Sequence, residues 1–431
     1  MGLFSRKKKS KVCVIGLDGV PHSFISDLAQ RDIMPFTKSL IEKGQLHKMK
    51  ASLPEISSVS WTDFMTGTNS GTHGIFGFTD IKKGTYDLRF PNFQEVKTET
   101  FWNALGERKK RSVVINQPST YPAKPINGIL ISGFVAIEMA KAVYPVAIKD
   151  ILKLIDYQID IDTMKAREDH EFLWQDLAAT LLGRKKAFDS FWQTDWDYFE
   201  MVITGTDRLQ HFLWDAYKDE SHPYHTKFLD YYTQLDQFIA KIVEAFLEIN
   251  QDHSGLYLLS DHGFCGITQE VYLNVWLEQE GYLKFETPTP KELGEIDSSS
   301  KAFAMDPNRI YINWKDRYPK GCVDRSDKKT LKEEIAGKIR ELKHNGQPVI
   351  RDVFDTEEIY SGPLVPAGPD LIVLSEYGYD LKGSVKKKDI FGRSNLQGMH
   401  TWDDAFFWSA REQGQGLKIS DLSQIIMENF E

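Results

Sequence analysis

Short apolar runs alternate along this chain with long stretches of helical spacing, and no other feature restricts the fold as strongly. The runs at 11–17 (KVCVIGL), 112–115, 128–131, 199–203, 256–259 and 370–374 read as buried strands. Helical spacing falls at 35–43, 171–192, 226–248 and 328–343. Strand followed by helix, repeated, predicts an α/β protein with a mostly parallel central sheet flanked by helices. The composition shifts after about residue 282. The stretch 287–306 is polar, carries Pro288, Pro290 and the serines 298–300, and reads as a loop. Strand candidates at 309–313 and 349–353 flank the helix at 328–343. The expected organisation is a basic flexible tail (1–10), a core built from 11–282 and 396–431, and an inserted α+β subdomain on the substrate side (283–395). Neither an internal repeat nor a low-complexity tract is visible.

With 431 residues the chain has room for two or three domains, or one large domain with insertions. Charged residues at 27% beside hydrophobic residues at 41% exclude global disorder. A net charge of −9 argues against a broad basic face, so no binding of nucleic-acid duplex is expected. Cys13, Cys265 and Cys322 lack CxxC spacing, which speaks against a disulfide framework or a cysteine zinc site and for a reducing compartment, the cytoplasm. No apolar run approaches the ~18–20 residues of a membrane span. The opening MGLFSRKKKSK has no apolar segment after its basic residues and so does not read as a secretory signal. Gly2 invites myristoylation, but Arg6 stands where Ser or Thr is wanted; the segment reads as a solvated basic tail.

Ligands of an open α/β sheet collect at the C-terminal ends of its strands. Asp18 follows the first strand (GLDGV). Asp207 follows 199–203, with His211 four residues on (TDRLQH). Asp261 and His262 follow 256–259 (SDHGF), and His400 precedes the strand-like DAFFWSA. Three carboxylates and three imidazoles suit Zn²⁺, Mn²⁺ or Fe²⁺. Each piece alone has an ordinary reading as a turn, a helix-face pair or a polar loop; their conjunction points to a metal centre. The segment LPEISSVSWTDFMTG places Ser57 and Ser58 at the start of a helical pattern. A serine there is a helix cap by default. It also stands where helix N–H groups favour an anion, and where a metal-activated hydroxyl would meet phosphorus or sulfur.

The ordered set VIGLDGV, ISSVSWTDFMTGTNSGTHGIFGF, INQPSTYPAKPINGILISGF, TGTDRLQHFLW, LLSDHGF, NRIYINWKDRYPKG, PDLIVLSEYGYD and GMHTWDDAFFWS resembles the alkaline phosphatase superfamily, in particular its type I phosphodiesterase/nucleotide pyrophosphatase branch. The resemblance implies an alkaline-phosphatase-like core and a metal-dependent hydrolase of phosphodiester or phosphoanhydride bonds in small phosphate esters. It implies two divalent metal ions, zinc in the first place and manganese as the alternative. Asp18, Asp261, His262 and the nucleophile oxygen would hold one; Asp207, His211 and His400 the other. The nucleophile falls on Ser57, with Ser58 one residue away as the alternative. The implied mechanism is a double in-line displacement through a phosphoserine, with the serine acting as a metal-bound alkoxide. Asp404 is a candidate partner for the outer nitrogen of His400.

Departures from the family pattern carry information too. The place where nucleotide pyrophosphatases have an asparagine, after His73-Gly74-Ile75, is apolar here, which argues against nucleotides. The C/S-x-P-x-R motif of sulfatases is missing at Ser57. Arg208 and Arg309 are the arginines considered for the free oxygens of a monoester, and the lack of a placed arginine favours a diester. Trp61, Trp102, Trp214, Trp402, Phe406 and Phe407 read as core rather than as a stacking platform. Two alternatives remain: a phosphoglycerate-mutase-like phosphotransferase, and a non-catalytic binding relative. The interval from Ser57 to Asp207 reads as core rather than as a mutase insertion. The full set of ligands and a hydroxyl argues against the binding relative.

Overall fold

The computed structural model describes residues 11–431; the expected basic tail at 1–10 lies outside the described residues. An eight-stranded sheet forms the centre. Its strands are β1 (Val12–Leu17), β2 (Gln45–Met49), β3 (Ser112–Gln117), β4 (Gly128–Ser132), β5 (Val143–Tyr144), β6 (Tyr198–Ile203), β7 (Leu256–Leu259) and β8 (Ala405–Ser409). They lie in the order β2-β8-β7-β1-β6-β3-β4-β5. The run β7-β1-β6-β3-β4 is parallel throughout. β8, β2 and β5 are added antiparallel at the two sides.

The pleat sends alternate residues to opposite faces, and both faces are covered. Cys13, Ile15 and Leu17 of β1 join Phe199, Met201 and Ile203 of β6 in one apolar cluster. The helices α2 (His170–Phe191) and α4 (His225–Asn250) pack into it through Leu177, Phe188, Leu235 and Ile239. Val12, Val14, Tyr198 and Val202 point the other way, against Trp61, Phe64 and Met65 of helix α1 (Ser57–Thr66). That two-sided burial is why these strands read as apolar runs, interrupted in β6 by the buried Glu200.

A second, four-stranded sheet has the order Ala302–Met305, Arg309–Ile312, Leu371–Ser375, Ile350–Asp355. It carries helix Lys328–Arg340 and its own apolar core, into which Tyr86, Val271, Leu273 and Trp276 also pack from earlier in the chain. Two expectations change here. The stretch 287–306 is not all loop: Ala302–Met305 is a strand, fully paired with Arg309–Ile312 across a turn in which Asn308 takes a left-handed φ of 42°. The helix expected to 343 stops at Arg340, because Lys343–His344 turns back on Gln347–Pro348 through Asn345-Gly346, both at positive φ. Among the described residues no helix is long and apolar enough to cross a membrane.

Candidate active site

β7, β1 and β6 are adjacent and parallel, so their C-terminal ends open onto one place. Asp18 follows β1 and Asp261-His262 follow β7. Asp207 sits in the first turn of α3 (Gly205–Lys218) after β6, with His211 one turn on. His400 arrives from far along the chain on strand Gly398–Thr401, which pairs antiparallel with Gly263–Gly266, directly after His262. The six metal-ligand candidates of the sequence thus converge.

Ser57 is the first residue of α1, and the cap position falls on Ile56, so the default reading of Ser57 as the cap does not hold. Its Oγ lies 3.3 Å from Asp18 Oδ1 and 3.1 Å from His262 Nε2. Ser58 Oγ is buried and has no hydrogen-bond partner. Trp61, one turn into α1, is fully buried and donates its indole N–H to Asp18 Oδ2 at 3.1 Å.

The three imidazoles share one arrangement. Nδ1 of His262 bonds the Gly263 carbonyl, Nδ1 of His211 the Gly398 carbonyl and Nδ1 of His400 the Glu55 carbonyl, each at 2.9 Å. A carbonyl only accepts, so each Nδ1 carries the proton and each Nε2 turns a lone pair inward. His211 Nε2 and His400 Nε2 stand 3.0 Å apart. Each is 3.3 Å from Asp207 Oδ1. His262 Nε2 lies 3.3 Å from Asp261 Oδ2 and 3.8 Å from Asp18 Oδ1.

This donor set fits divalent metal ions. Asp207 Oδ1 and Asp261 Oδ2 are buried without a hydrogen-bond partner. Two facing nitrogen lone pairs and unpaired carboxylate oxygens repel one another unless a cation lies between them. Two ligand groups meet this requirement: Asp18, Asp261 and His262, and Asp207 with His262 and His400. The titration behaviour agrees. Burial, with Asp261 and Asp207 close by, pushes Asp18 well above the usual carboxylate range. Burial and Asp207 push Asp261 up to about 7. Asp207 also loses solvent, but in the metal-free site His211 and His400, when a proton sits on Nε2, together with Arg208 outweigh that and hold it well below the usual range. Burial and the neighbouring His400 keep His262 neutral.

Other sequence expectations fare differently. Asp404 does not touch His400, whose outer nitrogen is already on the Glu55 carbonyl. Its carboxylate instead accepts from Ser23 Oγ at 2.5 Å and faces Lys48. Arg208 is engaged by two carboxylates: it holds Asp160 through Nε and Nη2 and Asp207 Oδ2 through Nη1 at 2.9 Å. Arg309 is fully buried, with its guanidinium on the Asp306 carbonyl, Tyr311 and Thr79. His73 is buried as well, bonded to Asp63 at 2.6 Å. Sequence reasoning missed Glu55 and Asn308. Glu55 is buried beside His400, and both its oxygens receive Asn308 Nδ2, at 3.0 and 3.1 Å. Burial pushes Glu55 up to about 7. Its position two residues before Ser57 was the only available signal.

A family model for type I phosphodiesterases/nucleotide pyrophosphatases matches residues 12–403. The chain belongs to this family. It is a hydrolase of the phosphodiesterase/pyrophosphatase type, within the alkaline phosphatase superfamily. Phosphonoacetate hydrolase from Sinorhizobium meliloti 1021, solved with phosphonoacetate, superposes with a TM-score of 0.65 at 13% identity, over 98% of this chain and 96% of that one. An inactive form of murine ectonucleotide pyrophosphatase/phosphodiesterase 5, solved with AMP, gives 0.56 at 12% identity, over 97% and 94%. The human protein of that name gives 0.54 at 11% identity, over 97% and 94%. At these identities the likeness is one of fold. A comparison with curated proteins gave no significant match. In this family member the site combines one hydroxyl, three carboxylates and three inward-facing imidazoles on the C-terminal edge of a rigid sheet. Such a set can hold two cations and present one oxygen nucleophile beside them.

Proposed function

We propose that the protein hydrolyses phosphodiester bonds of small phosphate esters in two displacements at Ser57, with two divalent metal ions, zinc first and manganese second. The observation that carries this reading is the position of Ser57 Oγ, within 3.3 Å of both Asp18 Oδ1 and His262 Nε2, at the opening of a buried helix. Asp18, Asp261 and His262 would hold one ion, and Asp207, His211 and His400 the other. The ions, when bound, supply a lowered hydroxyl pKa and charge stabilisation at the reacting oxygens. Ser57 Oγ attacks phosphorus and the alcohol departs with the P–O electron pair. Water then displaces the serine from phosphorus. The positive end of α1 and its first N–H groups favour the phosphoryl oxygens at the same spot. A diester is favoured over a monoester because Arg208 and Arg309 are both engaged elsewhere, and a diester has less charge to neutralise. Residues 283–395 serve in this reading as a substrate-side insert. The cytoplasm remains the compartment in this reading, on the ground that Cys13, Cys265 and Cys322 lack the spacing of a disulfide framework.

The test compares bis(4-nitrophenyl) phosphate with 4-nitrophenyl phosphate on protein stripped of metal and reloaded with zinc or manganese. Diester turnover that requires metal is expected, and Ser57→Ala should lower it by about a thousandfold or more while metal content by elemental analysis stays unchanged. Full activity of Ser57→Ala would move the nucleophile to Ser58. Preference for the monoester would favour a phosphatase or a mutase.

A further inference from the structure

Residues 51–56 lead into α1 and belong to neither helix nor strand. This strap ends at Ser57, and the module built on the second sheet grips it at two places. Tyr360 donates its hydroxyl to the Leu53 carbonyl at 2.6 Å. Asn308 spreads one amide nitrogen over both oxygens of the Glu55 carboxylate, at 3.0 and 3.1 Å. Both donors are buried, and so is Glu55. The main chain of Glu55 is engaged as well: its carbonyl accepts Nδ1–H of His400 at 2.9 Å. Glu55 thus has its side chain on the module and its backbone on a metal-ligand candidate.

Asn308 lies in the turn between strands Ala302–Met305 and Arg309–Ile312 at a φ of 42°, a conformation that asparagine tolerates and most residues do not. Its own carbonyl accepts from Val373 N at 2.9 Å, which ties the turn to the neighbouring strand Leu371–Ser375. A buried carboxylate stripped of its donor costs free energy. The strap is held in no sheet ladder, so without the amide it can swing the carboxylate toward water. The Glu55 carbonyl then moves too, and His400 loses the acceptor that keeps its proton on Nδ1 and its Nε2 lone pair inward.

We propose that Asn308 is a positioning residue of the metal centre. It acts through Glu55 to aim Nε2 of His400, so the second-sheet module sets part of the ligand geometry from outside the core sheet. Tyr360 steadies the same strap two residues earlier. The proposal rests on the reading that His400 holds an ion.

The test reads zinc affinity on the full chain by competition with a chelating dye, with no turnover involved. Asn308→Gly deletes the amide and keeps the left-handed turn. Binding of one zinc equivalent is expected to weaken about tenfold, with the other unchanged. Exchanging the partners, Glu55→Gln together with Asn308→Asp, rebuilds one amide–carboxylate bond with donor and acceptor reversed. That pair should recover most of the lost affinity, which a merely loosened fold would not do. Unchanged affinity in Asn308→Gly, equal weakening of both equivalents, or an exchanged pair no better than Asn308→Gly would each overturn the proposal. Failure of the underlying reading is recognised separately: His400→Ala and the unaltered protein would then hold the same amount of zinc.

Discussion

Asp207 owes its orientation to its neighbour in sequence. Arg208 Nη1 fixes Asp207 Oδ2 at 2.9 Å, Asp160 anchors the rest of the guanidinium, and the ring of Phe134 lies 4.1 Å from its centre. Oδ1 is thereby left to the imidazoles. Replacement by glutamine, Arg208→Gln, removes the anchor and keeps the bulk. Metal affinity at the Asp207 site should fall about 10–100-fold, as read by competition with a chelating dye; an unchanged affinity would show that Asp207 is fixed without Arg208. At this scale the site was partly legible in the sequence. Asp18, Asp207, Asp261 and His262 are readable because each stands within four residues of the end of an apolar run. Glu55 and Asn308 are not, since they meet only through the fold, 253 positions apart. Asp404 was misjudged for the same reason: closeness in sequence to His400 says nothing about which way a strand residue points, and its partners Ser23 and Lys48 lie at the other end of the chain.

Among the elements, β1 and α1 are matched at a single atom. A Cβ on Gly16 would stand 2.6 Å from Trp61 Cη2. The bare backbone lets the indole lie against β1 and reach Asp18 Oδ2 from behind. Gly16→Ala is expected to destabilise the protein by about 1–3 kcal/mol through overpacking, measured by urea denaturation. The displaced indole should release Asp18 and weaken metal binding in the same variant; a neutral result in both would mean that α1 can shift without cost. Elements buried on both faces were legible in the sequence for the reason that makes them stable: β1 and β7 are continuous apolar runs, and β6 is one but for Glu200. β2 was missed because it is half-exposed, with a mixed pattern over Gln45–Met49. Strand Ala302–Met305 was missed because it follows directly on a polar stretch and is only four residues long.

For the molecule as a whole, the gathered carboxylates set a dependence on pH and metal. Burial together with Asp207 raises Asp261 from an ordinary 3.8 to about 7 in the folded metal-free protein. A raised acid binds a proton that the unfolded chain has released, so between those values folding stability falls as pH rises. A divalent ion binds the ionised form and offsets the loss. The rise in Tm on adding zinc should therefore be larger at pH 8 than at pH 5.5, by differential scanning fluorimetry; a rise independent of pH would place the ion away from Asp261. The same convergence bears on how the chain comes off the ribosome. β8 lies between β2 and β7, and His400 pairs beside His262 only through strand Gly398–Thr401. Among the described residues the early strand β2 has no partner in the sheet other than β8. These contacts span most of the chain and are slow to form. A nascent or truncated product that ends before residue 398 has Ser57 and five of the six metal-ligand candidates, all by residue 262, yet no closed sheet edge and no sixth candidate. On the reading that these six side chains hold the ions, a chain ending there is expected to bind metal incompletely, because His400 and the strand that closes the sheet come last.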